Sequence, residues 1–71
     1  MNIPDNLPEK QERSLLFVRT AIQSRNLQLL SYSYELGTGS ILLRFGTSRQ
    51  ALGRVVIKED GKRIWQAANE T

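Results

Sequence analysis

Asn26 divides this chain into two hydrophobic periods, and that division limits the available folds more than any single residue does. Between Leu7 and Arg25 the apolar residues recur with the 3.6-residue period of a helix; from Leu30 onward they alternate with polar ones, as in strands. A chain of 71 residues that changes period once has one helix to set against several strands. A single helix covers one face of a sheet and leaves the other bare. The expected fold is therefore α+β, with a single N-terminal amphipathic helix packed on one face of a three- to four-stranded antiparallel β-meander. The expected organisation is one small domain over residues 1–71, with flexible ends at 1–5 and 68–71. At this length roughly 60% of the surface exposed by the unfolded chain is buried, so a second core is excluded.

The helix is expected from about Leu7 to Arg25. Asn6 with Glu9 three residues on matches a capping box, and Pro8 sits in the first turn, where its missing N–H is harmless. Leu15, Phe17, Val18, Ala21 and Ile22 share one arc, opposite Glu12, Arg13, Arg19, Thr20 and Gln23, with Leu16 pointing outward. Asn26 suits a left-handed stop.

In the strand region Leu30, Tyr32, Tyr34 and Leu36 alternate with Ser31, Ser33 and Glu35, and Ile41, Leu43 and Phe45 with Leu42 and Arg44. A loop of Gly37-Thr38-Gly39-Ser40 would set Leu36 against Ile41, Tyr34 against Leu43 and Tyr32 against Phe45, all facing the helix. A shifted register would instead bring Tyr32 and Tyr34 beside Arg44 and Trp65. Gly46 to Gly53 reads as a connection with room for one helical turn capped by Thr47 or Ser48. Asp60-Gly61 between alternating runs signals a hairpin, and a two-residue loop there pairs Ile57 with Ile64, Val56 with Trp65 and Lys58 with Arg63. The helix arc would then meet Leu30, Tyr32, Tyr34, Leu36, Ile41, Leu43, Phe45, Val55, Ile57 and Ile64.

Composition removes most enzyme chemistry. With no Cys and no His, thiolate and imidazole metal sites, Ser-His-Asp triads, Cys-His dyads and haem ligation by His are absent, and neither a metal nor a cofactor is expected. Glu59 and Asp60 fall in a turn and Glu9 and Glu12 in a first helical turn, where solvation and capping explain them. The Gly37-Thr38-Gly39-Ser40 run lacks the following helix and the Lys of a phosphate loop. We expect no enzyme. The longest apolar stretch, Leu15-Leu16-Phe17-Val18, falls far short of the roughly 20 residues a membrane span needs. The start Met1-Asn2-Ile3-Pro4-Asp5 has neither a basic segment nor an apolar run after it, so a cytoplasmic protein without a membrane partner is expected.

Charge supplies the functional lead. Residues 1–12 sum to −2 and residues 59–71 to −1, while Arg13, Arg19, Arg25, Arg44, Arg49, Arg54 and Lys58 against Glu35 alone give the middle +6. Seven of the ten cations are Arg, whose planar fork suits phosphates and carboxylates. Arg is also an ordinary soluble surface residue, and net charge by itself describes solubility.

The strand alternation sends Leu42, Arg44, Arg54, Val56, Lys58, Arg63 and Trp65 to the bare face, with Ser31, Ser33 and Glu35. Cations around an aromatic platform are the means by which sheets bind single-stranded nucleic acid. The expected function is a small non-catalytic basic module that engages an anionic partner, nucleic acid above all, through this face and the flanking helix residues Arg13 and Arg19. The alternative is a protein-interaction or regulatory adaptor that dimerises or docks through Leu42, Val56 and Trp65, since Trp and Arg are enriched at interface hot spots. A third possibility is functionally neutral: charges that protect a solvated sheet, with Trp65 folded over Val56 and Leu42.

Overall fold

A computed structural model describes residues 6–67, which form one helix, α1 (Glu9–Ser24), and four strands, β1 (Gln28–Glu35), β2 (Ser40–Gly46), β3 (Ala51–Ile57) and β4 (Arg63–Ala67). The strands are antiparallel in the order β1-β2-β3-β4, and α1 lies across one face, giving the expected α+β meander with an open second face. The ends expected to be flexible, 1–5 and 68–71, lie outside the described residues.

The helix starts later than the capping box predicts. Pro8 is the N-cap, with ψ 143° and no side-chain cap, and the N–H of Glu12 donates to its carbonyl at 2.9 Å. The cause is Pro8 itself, because a residue before proline is driven out of the helical region, so Leu7 cannot join the helix and Asn6 caps nothing. The other end follows expectation. Asn26 has φ 60°, Leu27 N–H donates to Ile22 O at 3.1 Å and Asn26 N–H to Gln23 O at 3.0 Å. This pair of bonds is a Schellman motif, and it folds Leu27 back onto the core.

Val18 and Ile22 enter the core from the helix, with Ile41 and Leu43 from β2 and Val55 and Ile57 from β3. The helix stripe continues through Ser14 and Gln11, which are also buried, while Phe17 stays 54% exposed on the rim. Two polar residues on a buried stripe need partners. Gln11 Nε2 donates to Gly39 O at 2.6 Å and Ile57 O at 3.1 Å, and Ser14 Oγ donates to Gly61 O. Gly39 and Gly61 belong to the two hairpin turns at one end of the sheet, so these two side chains tie the helix to both.

Two strand registers and one connection differ from expectation. In the first hairpin Tyr34 pairs with Ile41 and Tyr32 with Leu43, two residues away from the predicted pairing. An even shift leaves each side chain on its face, so both tyrosines stay on the helix side. The turn becomes Leu36–Gly39, closed by Gly39 N–H donating to Glu35 O at 2.8 Å, and Leu36 is exposed in it. A bulge at Leu30 then reverses the alternation: Leu29 pairs with Phe45 and packs on the core, while Leu30 is exposed. Tyr34 packs against the core, whereas Tyr32 lies half exposed at the open β1 edge.

The second connection is residues 47–50, shorter than predicted and without a helical turn. Thr47 Oγ1 accepts from Arg49 N–H at 3.3 Å and Gln50 N–H at 3.2 Å, and the turn feeds directly into β3.

The third difference reverses a strand. Val55 pairs with Trp65, Val56 with Ile64 and Ile57 with Arg63, one residue from the predicted register. Gly61 N–H donates to Lys58 O, Lys58 N–H donates to Lys62 O, each at 2.8 Å, and Gly61 has φ 93°. Asp60 has no positive φ, so the two-residue turn that requires it at both central positions is ruled out. Glu59 and Asp60 form an ordinary turn with Gly61 as a left-handed bulge. The extra residue turns every side chain of β4 over.

Candidate nucleic-acid interface

The open face is built from outward residues at alternate positions. Their pairing arranges them in straight rows across the sheet. One row runs Ser33, Leu42, Val56, Ile64; the next runs Ser31, Arg44, Arg54, Gln66. At about 4.8 Å between strands each row is about 14 Å long. Leu42, Val56 and Ile64 are half-buried by their neighbours, while Arg44, Arg54 and Gln66 are exposed. A shallow recess of about 430 Å³ lies over Leu42 and Val56 of the first row, with Ser33, Glu35 and Ser40 at one side and Arg54 and Gln66 at the other.

Of the residues assigned to this face from the sequence, Leu42, Arg44, Arg54, Val56 and Lys58 hold their places, Lys58 standing just past the end of β3. Arg63 and Trp65 do not. The reversed β4 takes both to the helix side, where the Arg63 guanidinium lies 4.2 Å from the centre of the Phe17 ring and donates to Ser14 Oγ at 3.4 Å. Trp65 meets Phe45 edge to face, with ring centres 5.7 Å apart at 69°. Their places on the open face go to Ile64 and Gln66, and Gln66 Oε1 accepts from Arg54 Nε at 2.6 Å. The Glu59-Asp60-Gly61 sequence is compatible with either turn; the signal for the longer one is Gly rather than Asp at the single left-handed position.

Arg13 and Arg19 are exposed on α1, across the sheet from Arg44 and Arg54, so they do not flank the open face. Arg13 pairs with Glu9 at 2.6 Å, four residues back on the same helix.

The electrostatics of the face are set by an opposed pair. Arg44 and Arg54 stand directly across from each other on neighbouring strands, and like charges so placed repel. Among the described residues neither is within ion-pair distance of a carboxylate, the Arg13–Glu9 bridge being the one found. No aromatic side chain stands in either row.

Among the described residues no group of three or more His, Cys, Asp or Glu is placed to hold a metal ion, and no helix is long and apolar enough to cross a membrane. Fold and site together define a small α+β protein with an open antiparallel sheet and an arginine row across it. No family model, curated protein or solved structure matches the chain.

Proposed function

We propose that this protein is a small non-catalytic binding module whose open sheet face engages nucleic acid along its phosphates. The observation that carries the reading is the opposed pair Arg44 and Arg54, exposed, without a carboxylate partner among the described residues and set in a polar row with Ser31 and Gln66. An anion lying over the pair relieves its repulsion and uses the donor forks of both guanidinium groups. With Trp65 on the other side of the sheet, recognition is by backbone charge and not by base stacking, so it is indifferent to base sequence.

Arg44, Arg54 and Lys58 supply three phosphate contacts, for which log K falls with log salt at a slope of about −2 on single strands and about −3 on duplex. Fluorescence anisotropy with labelled DNA and RNA oligomers over a salt series measures it. Arg54→Ala is expected to weaken every oligomer alike and to reduce the slope by about 0.7–0.9. Absence of binding at low salt to both DNA and RNA would end the proposal.

A second reading rests on the row Leu42, Val56, Ile64, an aligned apolar strip on an exposed sheet, which suits docking against a protein or a second copy. Val56→Lys separates the two. It adds a cation between the Arg row and Lys58 and is expected to tighten nucleic-acid binding, whereas a docked complex, seen by light scattering as a mass above 8.1 kDa, would be lost.

A further inference from the structure

Behind the sheet, at the end of α1 away from the glycine turns, three features open a recess. The Schellman turn folds Leu27 against Ile22. Gly53 carries no side chain where a Cβ would stand 2.8 Å from the Phe45 ring, so that ring fits over β3 at Gly53 and reaches Trp65 on β4. The reversed register of β4 puts Trp65 on this side. The result is a recess of about 350 Å³ with Phe45 and Trp65 as its aromatic surfaces, Ala21, Ile22 and Leu27 as its aliphatic ones and Arg25 as its one charged residue. That size is at the lower end for small-molecule sites, which are mostly apolar with a few polar groups to orient the ligand.

Arg25 decides the sign of the ligand. Its Nη1 donates to Ala21 O at 3.3 Å, and among the described residues it has no carboxylate partner. The negative pole of a helix C-terminus ordinarily repels anions. Here three of the last four helical carbonyls are already engaged: Ala21 O accepts from Ser24 Oγ and Arg25, Ile22 O from the N–H groups of Arg25 and Leu27, and Gln23 O from Asn26 N–H. The guanidinium is therefore the dominant charge at the mouth.

We propose that this recess is a binding site for a small aryl carboxylate, its ring against Phe45 and Trp65 and its carboxylate on Arg25. The site is on the opposite side of the sheet from the arginine row and is independent of it.

Trp65 is the only tryptophan, so its indole N–H gives a single, assigned-by-composition signal in a nitrogen–proton correlation spectrum. The test titrates 3-phenylpropionate and the uncharged 3-phenylpropan-1-ol. The acid is expected to shift the Trp65 indole signal saturably and to bind at least threefold tighter than the alcohol. Arg25→Gln should remove that preference, and Ala21→Leu, which fills the recess from an intact helix, should weaken the acid at least tenfold without altering the circular dichroism spectrum. Non-saturating shifts, equal affinity for acid and alcohol, or unchanged binding by folded Ala21→Leu protein would each overturn the proposal.

Discussion

Trp65→Ala probes the reversal of β4, because the two possible registers give it opposite phenotypes. In the structure Trp65 is 46% exposed, so a little over half of its side chain is covered, on the helix side and against Phe45. A large aromatic buries up to roughly 250 Å² when fully enclosed, so about 130 Å² is lost, and at about 25 cal/mol per Å² this is about 3 kcal/mol. The alanine methyl recovers part, and the lost edge-to-face contact adds roughly 0.5–1.5 kcal/mol. The net expected destabilisation is about 2–4 kcal/mol, a large share of the ~4–10 kcal/mol typical of a chain this size. Urea denaturation followed by circular dichroism should show the midpoint falling by about 2 M, with Trp65→Phe losing less than half as much. Oligonucleotide affinity of the folded fraction should stay within about twofold of the parent. A variant of unchanged stability that no longer bound nucleic acid would overturn the reversed register of β4, since it would return Trp65 to the open face.

The other predictions concern the ties that hold the helix to the sheet. Gln11→Met keeps the length of the side chain and removes both donors, leaving Gly39 O and Ile57 O without them; a loss of about 2–4 kcal/mol in thermal or urea unfolding is expected. Gln11→Glu places a carboxylate against the same two carbonyls, which raises its folded pKa above the unfolded value of about 4.3. Its folded form then binds more protons, so this variant should be most stable below about pH 4.3 and lose up to ~1.4 kcal/mol per pH unit as pH rises through the folded pKa. Gly61→Ala forces a side chain into φ 93° with its Cβ 2.9 Å from Lys10 O, and should cost about 2–3 kcal/mol by the same assay. Asn26→Gly relaxes the left-handed cap at φ 60° and should raise the midpoint slightly, while Asn26→Ala should lower stability by about 1 kcal/mol.

The period change at Asn26, the Schellman stop it makes, the outward Leu16 and the alternation of β2 and β3 were legible because each is a local property of consecutive residues. So were five members of the candidate interface, Leu42, Arg44, Arg54, Val56 and Lys58, which lie on those two strands or immediately beyond. Pairing of β3 with β4 was not legible. The Glu59-Asp60-Gly61 turn accepts two registers that differ by one residue, and sequence periodicity is identical in both.

What chooses between them is contact across the chain. Ser14 Oγ reaches Gly61 O, Arg63 reaches Phe17 and Ser14, and Trp65 finds Phe45 lying over Gly53; each joins residues far apart in sequence. The same holds for Gln11, a polar residue that takes a core position only because two carbonyls from separate hairpins converge on it. Hydrophobic period alone settles that one helix leaves one sheet face bare and that arginines stand on it. Which side of the sheet receives Trp65 and Arg63 is settled by contacts from the helix and β2, because a one-residue step along a strand exchanges its two faces and the turn sequence accepts both registers.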